Sequence, residues 1–140
     1  MALAKLSPKT AAENGVPIVI RHPETNLPFA PSLTITVYGA DSDTCKKIQR
    51  KQLNRRMEMA QRSRTNKARI TAEESENEGL DVLVACTKAW HTGERAELEM
   101  NEGEWLPCTP ENVRRVYEDL PWLKEQIDQE ISDRTNFLQK

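Results

Sequence analysis

The chain has 140 residues, of which 30% are charged and 37% hydrophobic, with a mean hydropathy of -0.72 and a net charge of -2. That length supports one core of ordinary size and not two. No apolar run approaches the roughly 20 residues that a membrane-spanning helix needs, and residues 1–15 lack the apolar centre of a secretion signal, so the expected location is the cytosol.

The charges are segregated. Residues 45–69 hold ten Lys or Arg (Lys46, Lys47, Arg50, Lys51, Arg55, Arg56, Arg62, Arg64, Lys67 and Arg69) against one acid, Glu58. This stretch is therefore +9 and everything else is -11. Such asymmetry implies pairing within the chain, or a basic arm that meets an acidic protein surface or nucleic acid.

In chain order, residues 1–15 are small and polar, with Pro8 and Gly15 and no apolar period, and read as a flexible tail. A single domain is expected over 16–140. Its first part, 16–40, holds two β-branched runs, Ile18 to Arg21 and Leu33 to Tyr38, on either side of a loop with Pro23, Pro28 and Pro31. This predicts a β-hairpin with a wide connection. A two-stranded hairpin is marginal in water, so it either closes over the helices or offers an edge to another subunit.

Asp41, Ser42 or Asp43 then caps a long basic helix over 41–66, whose Ile48, Leu53, Met57 and Ala60 form only a narrow apolar stripe. A bend or loosely ordered stretch is expected over 63–70. Thr71 and Glu74 have capping-box spacing, which predicts a helix running to about Trp90 with Leu80, Leu83, Val84 and Trp90 on one side. Gly93 and Gly103 break the next stretch into a loop or small hairpin. Thr109 before Pro110, and then Pro121, open two further helices carrying Val113, Val116, Tyr117 and Leu120, and Leu123, Ile127 and Ile131. The fold class expected is mainly α with a small N-terminal β-hairpin (α+β). It has four helices, one of them long and basic, and a helical core over 71–138.

Catalytic chemistry is hard to find in this sequence. Glycine-rich phosphate loops, nucleophile elbows and HExxH motifs are missing, and Cys45, Cys86 and Cys108 match no zinc spacing, which favours reduced, buried thiols. His91 fits helix-end packing, His22 a loop, and Trp90, Trp105 and Trp122 core anchors. No enzyme, cofactor or metal site is expected. Nucleic acid is a weaker candidate partner than protein, because the basic segment has no aromatic residue to stack on bases.

Two stretches nonetheless carry a resemblance: DVLVACTKAW at 81–90, and WLPCTPENVRRVYEDLPWLKEQIDQEISDRTNFL at 105–138. Their order resembles that of tail assembly chaperones of long-tailed bacteriophages of the siphophage type, and PWLKEQIDQEISDRTNFL is the most telling piece. Residues 16–56, with a short β region, Gly39-Ala40-Asp41-Ser42 and a basic helix, resemble the beginning of such proteins. The resemblance implies a non-catalytic, mainly helical protein of the infected bacterial cytoplasm. It would bind the tape measure protein, assist polymerisation of the tail tube protein, self-associate, and be absent from the mature virion.

The family supplies no catalytic residues. For partner binding, Leu123, Ile127, Ile131, Phe137 and Leu138 would form an apolar strip, and Lys46, Lys47, Arg50, Lys51, Arg55 and Arg56 a basic face toward acidic partner segments. The alternatives are a phage nucleic-acid-binding accessory protein using the basic helix, and a structural tail completion or connector protein.

Overall fold

The computed structural model describes residues 3–62 and 72–138. The described residues contain α-helices α1 (Lys9–Asn14), α2 (Asp43–Arg62), α3 (Ala72–Cys86), α4 (Pro110–Asp119) and α5 (Pro121–Ser132). Strands β1 (Val16–Val19), β2 (Leu33–Val37) and β3 (Thr87–Thr92) form one antiparallel sheet in the order β1-β2-β3, and β4 (Glu97–Asn101) pairs with β5 (Glu104–Pro107) in a second. Among the described residues the fold is thus an α+β mix of five α-helices and two small antiparallel sheets, and the expected mainly α fold with one hairpin and four helices is corrected. The expected bend over 63–70 and the Thr71 capping box fall outside the described residues.

The correction centres on 87–92. A helix through Trp90 was expected from apolar spacing, yet α3 stops at Cys86 with no Gly or Pro to stop it. Its end is set by tertiary partners: the Tyr38 amide donates to the Cys86 carbonyl at 2.7 Å, and the Thr87 hydroxyl donates to the Leu83 carbonyl at 2.8 Å. These bonds take up carbonyls that a helix terminus leaves free. The chain then runs along β2 as a third strand, with Ile35 opposite both Ile18 and Trp90. All three face the core, and Trp90 is fully buried with its indole N–H donating to the Leu106 carbonyl at 2.9 Å. A third strand gives the marginal hairpin the support it lacks alone.

Residues 1–15, expected as a flexible tail, contain α1, and Ala12 is wholly buried. The reason is a close approach that the sequence marks only by Gly39. A Cβ at that position would meet Ala12 Cβ at 2.7 Å and the Phe137 ring at 3.1 Å, so glycine lets α1 and the terminal 3-10 turn Arg134–Phe137 close on each other.

Several local signals act as expected. Ser42 Oγ accepts from the Cys45 amide at the start of α2, and Thr109 Oγ1 accepts from the Asn112 amide with Pro110 opening α4. One core cluster joins the sheets to α3, α4 and α5. Cys45 and Cys86, expected as separate reduced thiols, are both fully buried and joined in a disulfide that ties the start of α2 to the end of α3. Their separation of 41 residues gave no pairing signal, since it arises from how α2 lies on α3.

Candidate functional site

Of the residues assigned to partner binding, Leu123, Ile127, Ile131 and Phe137 are all core residues, with exposures from 0% to 5%, and Leu138 is half-buried. The strip on α5 is real, but it is already covered. Its face packs into the cluster that also holds Val116, Tyr117 and Leu83. A partner could reach Leu123, Ile127, Ile131 and Phe137 only if the protein opened, so for these four the assignment as a binding surface is corrected to core packing.

The basic face behaves in the opposite way. Lys46, Lys47, Arg50, Lys51, Arg55 and Arg56 are all exposed on α2. Helix α2 is held at its base by buried Cys45 and half-buried Ile48, and midway by the Gln52 side-chain amide, which donates to the Glu78 carbonyl at 2.8 Å. Arg56 pairs with the Glu78 carboxylate, whose side chain is largely buried. Among the described residues the other five bases have no ion-pair partner. Pairing among the described residues therefore accounts for one of the six.

Beyond Gln52 every described side chain of α2 is exposed, including Leu53 at 56%, Met57 at 55% and Met59 at 40%. Leu53 and Met57, one turn apart, share a face, and Met59 lies on another. Leu53 and Met57 were recognised in the sequence as part of a narrow stripe. Their exposure depends on which side of α2 lies against α3, which the sequence does not state.

A second feature had only a weak signal in the sequence. Phe29, Pro31, Leu33, Leu98, Trp105 and Trp122 line an open, mostly apolar hollow of about 450 Å³ between the long β1–β2 connection, the β4–β5 hairpin and the start of α5. Phe29 tilts against Trp122 with ring centres 6.2 Å apart, and the Arg95 guanidinium lies 3.8 Å over the Trp105 ring. Trp105 and Trp122, expected as core anchors, are only half-buried here, whereas Trp90 is the true core anchor. The edge strand β1 carries Pro17, which has no N–H for an added strand, and just past it Gln126 bonds both backbone groups of Arg21 at 3.0 and 2.7 Å. Those features leave little of the hairpin edge for pairing with another subunit.

Burial pushes the Tyr117 phenol and the Cys108 thiol up, and Tyr117 Oη sits 2.6 Å from Thr87 Oγ1. Two bonds from Arg134, at 2.8 and 3.1 Å, hold the Asp41 carboxyl below its ordinary range. His22 accepts from the Glu24 amide at 3.1 Å as a loop residue, while His91 lies in β3 opposite Thr34 and not at a helix end. Among the described residues no three His, Cys, Asp or Glu side chains form a group that could hold a metal, and no helix is long and apolar enough to cross a membrane. Comparison with known proteins finds no matching family model, no similar curated protein and no similar solved structure.

Proposed function

We propose that this protein is a tail assembly chaperone of a long-tailed bacteriophage, which binds the tape measure protein and assists tail tube polymerisation without catalysis. The reading rests on the sequence resemblance. The structural observation that supports it best is α2, which presents five exposed bases without an ion pair to any described residue, together with exposed Leu53 and Met57. A holding protein needs that combination: apolar contact area for a helical client, and charge that keeps the complex soluble. On this reading the contact surface moves from α5 to α2.

The test is co-expression with the tape measure and tail tube proteins encoded beside the gene, pull-down on this chain, and analysis of purified particles. Capture of either protein, with this chain absent from particles, is the expected result. Absence of capture with this chain present in particles would make it a structural tail protein. A preference for nucleic acid that collapses as salt rises would make it an accessory nucleic-acid binder.

A further inference from the structure

Along α2, Lys46, Arg50, Leu53, Met57 and Ala60 recur at alternating spacings of four and three residues, the seam of a helix that lies along another helix. All five are exposed, and the seam runs about 21 Å, nearly four turns. Its base-proximal half is basic and its outer half apolar. Nothing in the described part of the chain covers it, because the side of α2 that meets α3 is the neighbouring one bearing Cys45, Ile48, Gln52 and Arg56.

We infer that this seam is a docking site for an acidic amphipathic helix of a partner protein, an inference that rests on the chaperone reading and specifies where and how the client binds. The occupant follows from charge and shape. Its apolar residues, at the same spacing, would lie on Leu53, Met57 and Ala60, and its carboxylates would meet Lys46 and Arg50. Methionine suits such a contact, since its unbranched thioether adapts to different apolar partners.

A second α2 is a poor occupant. The helix carries seven Lys or Arg against two acids, so two copies side by side repel. Nucleic acid is also a poor fit, because the outer half of the seam is apolar, the helix has no aromatic residue, and Glu58 stands exposed among the bases.

The test uses the full chain and a labelled 21-residue helical peptide with Leu at the seam spacing and Glu beside it, read by fluorescence anisotropy. Its comparators are a peptide of the same composition with the Leu positions shuffled, and a single-stranded 20-mer oligonucleotide. The patterned peptide should bind at least tenfold more tightly than the shuffled one. The double variant Leu53→Ser/Met57→Ser should lose at least tenfold, as should Lys46→Glu/Arg50→Glu, with melting temperatures held. Val19→Ser, at an exposed apolar residue on β1, should bind as the parent does.

Equal binding of the shuffled peptide, tighter binding of the oligonucleotide, or indifference to Leu53→Ser/Met57→Ser would overturn the inference. So would a dimer, seen by sedimentation without peptide, that the same variants abolish. Failure of the two ideas is separable. Capture of the tape measure protein that survives both double variants refutes the seam and leaves the chaperone reading intact. Patterned-peptide binding without any such capture refutes the chaperone reading and leaves the seam.

Discussion

Helices α5 and α2 each carry apolar residues at helical spacing beside many charges, yet one stripe is sealed in the core and the other stands in water. On α5, Leu123, Ile127 and Ile131 meet α3, α4 and the sheet. On α2, the contacts made by the described residues are at the base and the middle, through Cys45, Ile48, Gln52 and Arg56, and the side chains from Leu53 to Gln61 are exposed, that of Arg56 while paired to Glu78. Periodicity therefore identifies a face that wants cover, and only the placement of neighbours decides whether the chain supplies that cover itself.

The sharpest way to break this comparison is to truncate both stripes. Phe137→Ala should cost about 3–5 kcal/mol and Ile127→Ala about 2–5 kcal/mol in denaturant unfolding, because each leaves a cavity in a packed core. Leu53→Ala, made on the exposed stripe, should shift stability by no more than about 0.5 kcal/mol. A loss at Leu53 as large as that at Ile127 would mean that the chain covers the α2 seam after all.

A smaller effect is expected at Tyr117→Phe, which keeps the ring and deletes the hydroxyl 2.6 Å from Thr87 Oγ1. Thr87 keeps its bond to the Leu83 carbonyl, so the loss should be about 1 kcal/mol by the same unfolding assay. It would show how firmly the turn from α3 into β3 is held.

The smallest effect is a pH dependence at the root of α2. Hydrogen bonds from Arg134 lower the Asp41 carboxyl from its ordinary 3.8, so the unfolded chain takes up that proton first as pH falls. The stabilisation is therefore present above pH 3.8 and is lost as pH falls through the lower folded value. Arg134→Gln should remove this part of the acid sensitivity, seen as a flatter fall of melting temperature below pH 4.

Much of the framework was legible where local chemistry decides it. Thr109 with Pro110, Pro121, Ser42 and the alternation of Leu33, Ile35 and Val37 placed four element boundaries or faces, because caps, proline and a two-residue period act over a few residues. Where distant partners decide, the sequence was silent or misleading. Trp90 lies four residues from Cys86 and fits a helix stripe as well as it fits a strand, and the Tyr38 amide at the Cys86 carbonyl breaks the tie. Ala12 has too little apolar bulk to advertise burial, and its place depends on Gly39 and Phe137 far along the chain. The same limit applied to the candidate site. The six bases of α2 were visible as a cluster, but the burial of the α5 strip and the exposure of Leu53 and Met57 depend on packing.

The most direct test of the α2 seam is pull-down of the tape measure protein by the Leu53→Ser/Met57→Ser variant of the full chain, beside the parent protein, with the melting temperature of each recorded. Loss of capture at an unchanged melting temperature is the predicted result. Capture equal to that of the parent would contradict it and put the client's binding surface elsewhere, with the hollow lined by Phe29, Trp105 and Trp122 next to be tested.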